Sequence, residues 1–151
     1  MNPLNITALA VADVTHAMQL ALGPVFLLNG IGVLLAMLTS RLARIVDRAR
    51  TLETRLNHAG EGEAREIHKV LRFTARRARL VNRAITLGTV AALLVALVVA
   101  LLFAAAFVTF ATAAVVAVLF VVCMGALVGA LVCFLFEIRM ATGALRFGPQ
   151  D

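Results

Sequence analysis

Residues 85–136 read ITLGTVAALLVALVVALLFAAAFVTFATAAVVAVLFVVCMGALVGALVCFLF, 52 consecutive positions without Asp, Glu, Lys, Arg or His. The run is built of Ala, Leu and Val and lacks the alternation of a barrel strand, so it reads as helix. As one helix it would be about 80 Å long, more than twice the thickness of a bilayer's hydrocarbon core. It must therefore fold back on itself. Its least apolar point is Thr109–Thr112, which predicts a tight turn there, one span near 85–108 and another near 113–136. Lipid offers backbone groups no partner, which leaves helices as the way to cross.

Towards the N-terminus lies a second charge-free stretch, Val14–Ser40, closed by Arg41. It predicts a first span over about 16–40. Apolar residues make up 62% of the 151 positions, more than a soluble domain of this size could bury. The expected fold class is all-α: one integral membrane domain over 1–151, with three transmembrane helices and a cytoplasmic antiparallel helical hairpin, about 41–84, between helices 1 and 2.

Charge sets the expected orientation. Twelve of the fourteen basic residues lie between Arg41 and Arg83 against five acidic ones, a net of +7. The positive-inside bias places that segment in the cytoplasm, the N-terminus and the 109–112 turn outside, and the C-terminus inside. Arg139 and Arg146 argue independently for the last. Met1–Gln19 contains no Lys or Arg, unlike the start of a cleavable signal peptide. Topology accounts for the basic segment, and Phe73 is its one aromatic residue, so nucleic acid is not expected as a partner. Trp and Tyr are absent, and with them the aromatic belt that would mark the span ends.

The basic segment carries its own pattern. Leu42, Ile45, Ala49, Leu52 and Leu56 recur at three- and four-residue steps, as do Ala64, Ile67, Leu71, Thr74, Ala78, Val81 and Ile85. Each is an apolar seam of the coiled-coil kind. Gly60-Glu61-Gly62 breaks the helix between them. The reading is two antiparallel helices, one continuous with the first span and one with the second. Arg44, Asp47 and Arg48 have the spacing to pair, as do Glu66 and Lys69. Arg76, Arg77 and Arg79 near the membrane end serve either as positive-inside anchors or as a site for anionic lipid headgroups.

Catalytic chemistry has no visible carrier. The sequence shows no nucleophile-base set, paired intramembrane carboxylates or phosphate loop, so the chain is read as not an enzyme, with no cofactor and no metal. Cys123 and Cys133, about 15 Å apart along a helix, cannot bond to each other and read as packing residues. His58 and His68 read as solvated. Asp13 and His16, one turn apart, read as interfacial polar residues or a proton or cation contact.

Polar and small residues inside the spans are better clues, because each needs a partner. Asn29, Gly32, Ala36, Ser40, Ala43 and Asp47 gather on one side of a helix, a stripe for a pore or a helix interface. Pro24 can kink the same span. Gly125 and Gly129 form a GxxxG motif, which lets helices approach closely within the chain or between copies.

The block Gly23-Pro24-Val25-Phe26-Leu27-Leu28-Asn29-Gly30-Ile31-Gly32, followed by Leu38-Thr39-Ser40-Arg41-Leu42-Ala43-Arg44-Ile45-Val46-Asp47-Arg48-Ala49-Arg50, resembles the bacterial family known as domain of unknown function 2721. That resemblance implies a small three-helix protein of the bacterial inner (plasma) membrane and brings no activity, substrate or catalytic residue. Two functions remain. One is a homo-oligomeric, channel-like ion permeation assembly, with the first span lining the route and the Arg-rich hairpins forming a positive vestibule. The alternative is a non-conducting scaffold or regulatory protein whose hairpin binds a partner. Expected partners are the lipid bilayer, further copies of the chain and anionic lipid headgroups.

Overall fold

A computed structural model of the chain describes residues 3–105 and 112–143, and all of them outside the 57–60 turn are helical. Helix α1 spans Pro3–Leu56, α2 spans Glu61–Ala105 and α3 spans Thr112–Gly143. The described part is all-α, and each of its three helices is long and apolar enough to cross a membrane. The expected turn at 109–112 falls outside the described residues except for Thr112, where α3 begins. Helix α1 passes through Pro24 without interruption, although the ring removes the N–H that would bond the Leu20 carbonyl. At its C-terminal end, His58 donates its backbone N–H to the Arg55 carbonyl, and Ala64 then opens α2 by donating to the Gly60 carbonyl at 2.9 Å.

Both long helices bury a single meridian. In α1, Ile31, Leu38 and Ile45 are buried, with Leu52 half-buried next in the series. They are seven residues apart, the spacing that returns a side chain to one side of a helix. In α2, Ile67, Thr74 and Val81 repeat the same step and Ala84, Ala91, Val95 and Val98 continue the face. The seam positions Leu42, Ala49, Leu56, Ala64, Leu71, Ala78 and Ile85 are half-buried beside these. As far as Phe136, helix α3 is apolar all round and leaves large side chains outward, Val121 at 69% and Val118 at 63% exposed. Phe26 on α1 is 73% exposed. A helix that is apolar on every side belongs in lipid.

The helices contribute to two compact units. One comprises the described residues up to Leu34 and those between Gly88 and Leu127. Its buried side chains are small or short: Ala21, Ile31, Ala91, Val95, Val98 and Cys123. Small residues bring helices close where lipid gives no hydrophobic drive to associate. Cys123 donates its thiol to the Ala91 carbonyl at 3.3 Å, and both cysteines are free thiols.

The other unit comprises Leu35–Leu87 and the described residues from Val128 on. Its core is Leu38, Ile45, Ile67, Val81, Ala84 and Ala130, with Thr74 donating its hydroxyl to the Val70 carbonyl at 2.9 Å. Residues 45–53 of α1 face residues 71–78 of α2 across a shallow groove, so the two helices run antiparallel about the 57–60 turn. Gly129 marks the approach of α3 to α2: a Cβ there would lie 3.3 Å from the Leu87 side chain.

Candidate functional site

One carboxylate is completely buried. Glu137 follows the 52-residue apolar run by one position and is 0% exposed. It is seven residues past the buried Ala130, on the packed face of α3. A lone buried carboxylate would be strongly disfavoured, and this one is not alone.

Arg77 on α2 donates two N–H groups to the same oxygen, Nη2 to Oε1 at 2.6 Å and Nε to Oε1 at 3.2 Å. Arg41 on α1 donates Nη1 to Oε2 at 3.2 Å. Each oxygen is thus held by a different helix. The Arg41 guanidinium also lies over the Phe134 ring, 5.1 Å from its centroid, within cation–π range. Phe134 precedes Glu137 by three residues on the same helix, so one turn of α3 presents both partners of Arg41.

Helical register explains why these side chains meet. Arg41 stands between the buried Leu38 and Ile45, and Arg77 between the buried Thr74 and Val81. Both arginines therefore occupy positions on the packed meridian, and the contact fixes the level of three helices against one another. Six residues further along α2, about 9 Å by helical rise, stands Arg83, exposed on the outer face.

Beside the carboxylate opens a cleft of about 770 Å³ lined by Arg41, Arg44, Arg48, Lys69, Arg77 and Glu137 together with apolar residues of all three helices. The expected Arg44–Asp47–Arg48 pairing is not formed among the described residues. Lys69 does pair with Glu66, at 2.8 Å on the exposed side.

The positions singled out from sequence fall in three places. Asn29, Gly32, Ala36, Ser40, Ala43 and Asp47 are all exposed, on the side of α1 opposite its buried meridian. Of the membrane-end arginines, Arg76 and Arg79 are exposed, while Arg77 turns inward to Glu137. Gly129 packs near Leu87, and Gly125 faces open space. The side chains of Asp13 and His16, and all of Arg146, lie outside the described residues. Glu137 was not among the sequence candidates. The available signal was its isolation: it is the one acidic residue between Glu66 and Asp151, at the end of an apolar run.

A protein-family model described as Protein of unknown function (DUF2721) matches residues 21–147. The chain belongs to the DUF2721 family. No curated protein and no solved structure matches it. The matched region of this DUF2721 chain takes in Arg41, Arg77, Glu137 and the whole lining of the basic cleft.

Proposed function

We propose that this DUF2721 chain is a non-enzymatic, self-associating scaffold or regulatory protein of a bacterial inner membrane. It presents the 41–84 hairpin and its C-terminus to the cytoplasm and its N-terminus to the outside. The orientation is supported by the net +7 of residues 41–83 and the absence of any basic residue before Arg41.

One observation carries the self-association. The small and polar meridian of α1, from Asn29 through Gly32, Ala36, Ser40 and Ala43 to Asp47, lies opposite the meridian that the chain buries. No described residue bonds the Asn29 side chain. Lipid leaves an amide unsatisfied, whereas a second copy of the same helix supplies both an amide partner and small residues for close approach.

The same meridian disfavours the channel-like reading. N-terminal to Asn29 it continues through Met18, Leu22 and Val25, all exposed. From Met18 to Val25 those positions cover about 10 Å of helix by rise, and a route lined by them would dewet over roughly a third of a hydrocarbon core.

Cross-linking tests both halves. In a chain with Cys123→Ala and Cys133→Ala, Ala36→Cys should form disulfide-linked dimers in native membranes, and Val121→Cys should not. Asn29→Leu should weaken the association by roughly 0.6–2 kcal/mol, the value of one interhelical hydrogen bond. Liposomes carrying the purified protein should pass no ions. A monomer that never cross-links at Ala36 would sink the proposal. A ring whose ion flux falls in Asn29→Leu would put the pore in its place.

A further inference from the structure

We infer that the cleft beside Glu137 is a binding site for a phosphate-bearing anion. The inference does not depend on the subunit number. Five cationic side chains line the cleft, Arg41, Arg44, Arg48, Lys69 and Arg77, against the one carboxylate of Glu137. That carboxylate is already engaged on both oxygens, so it neither repels an incoming anion strongly nor satisfies the remaining donors. Arg77 commits two of its five N–H groups to Glu137 and Arg41 commits one. Arg44 and Arg48 are exposed and form no ion pair among the described residues.

The geometry suits phosphate. Arg44 and Arg48 follow Arg41 by one and two helical turns on α1, and Arg77 and Lys69, the latter also paired with Glu66, line the cleft from α2, so the donors come from two helices instead of lying in one row. Guanidinium forks match the oxygens of a phosphate, and a cavity of about 770 Å³ falls within the range that encloses small ligands. Between these donors the lining is apolar, with Ile45, Val70 and Phe73. A site whose lining combines basic and apolar side chains suits an amphiphile. The level also fits: Arg83, about 9 Å deeper along α2, stands nearer the hydrocarbon edge, which leaves Glu137 and the mouth of the cleft at headgroup depth. The source is therefore either an anionic phospholipid or a soluble phosphate compound, which share the recognised group.

Calorimetric titration of the full chain in neutral detergent decides it. The probes are short-chain phosphatidylglycerol and inorganic phosphate, with short-chain phosphatidylcholine as the zwitterionic control. Phosphatidylglycerol should bind, and the double variant Arg44→Gln/Arg48→Gln should raise its Kd at least about tenfold, as expected for losing two charge-assisted hydrogen bonds. The double variant Arg76→Gln/Arg79→Gln removes the same charge outside the cleft and should leave the Kd nearly unchanged. Competition by inorganic phosphate would show that the phosphate group suffices. Lipid binding without competition would show that the apolar wall contributes, and binding of inorganic phosphate alone would assign a soluble ligand. All three support the site. Binding of neither probe, or equal weakening by the two double variants, would overturn it.

Discussion

Glu137→Leu should cost the folded chain about 3 kcal/mol, near the lower end of what breaking a buried ion pair costs. The side chain of Glu137 is 1% exposed, while Arg41 and Arg77 retain 35% and 24%. Removing the carboxylate strands two guanidiniums that are packed on the core meridian and can reach only part of the solvent they need. Their partial access to water keeps the loss below that of fully enclosed charges. The triple variant Arg41→Leu/Arg77→Leu/Glu137→Leu removes every charge at once and should regain most of the lost stability, because apolar replacements for a whole buried ion cluster are often neutral or better. Unfolding by a denaturing detergent in mixed micelles reads both. A Glu137→Leu chain as stable as the parent would mean that the carboxylate is not held between the two arginines.

The second large effect concerns the 41–84 hairpin. Ile67 is 7% exposed on the packed face of α2. Ile67→Asp places a carboxylate there with no basic residue at three- or four-residue spacing on its own helix. The loss should be about 4 kcal/mol, at the upper end for single substitutions, because the charge is buried without a partner. Ile67→Val should cost about 1 kcal/mol for the lost methylene. Arg55→Ala, on the exposed face, should stay within about 0.5 kcal/mol of the parent. Equal tolerance of Ile67→Asp and Arg55→Ala would mean that the two helices are not packed along this seam.

How much of this was legible beforehand follows from the physics of each feature. Periodicity reports local structure, and the three-four steps from Leu42 to Leu56 and from Ala64 to Ile85 name the faces that α1 and α2 turn inward. Absence of charge reports solvent, and the 52-residue run marks the stretch that α2 and α3 divide between them. Contacts between distant residues leave weaker traces. Glu137 meets Arg77 across 60 positions and Arg41 across 96, and neither spacing has a period. Arg41 and Arg77 do occupy seam register, three residues after Leu38 and Thr74, yet a charge in an apolar series reads as an interruption until its partner is known. The polar stripe of α1 was visible as a face; that the chain leaves it uncovered depends on where α2 and α3 pack.

The sidedness of Gly60 and of the two ends is the most direct test of a three-span chain tied together by Glu137. Reporters inserted at Gly60 and fused after Asp151 should both lie in the cytoplasm, and a reporter at Met1 should lie outside. The 57–60 turn and the C-terminal end of α3 must share one side of the membrane for Arg77 to reach Glu137. Gly60 and Asp151 on opposite sides would contradict both the span count and the ion cluster, and Gly60 facing outward would contradict the proposed orientation.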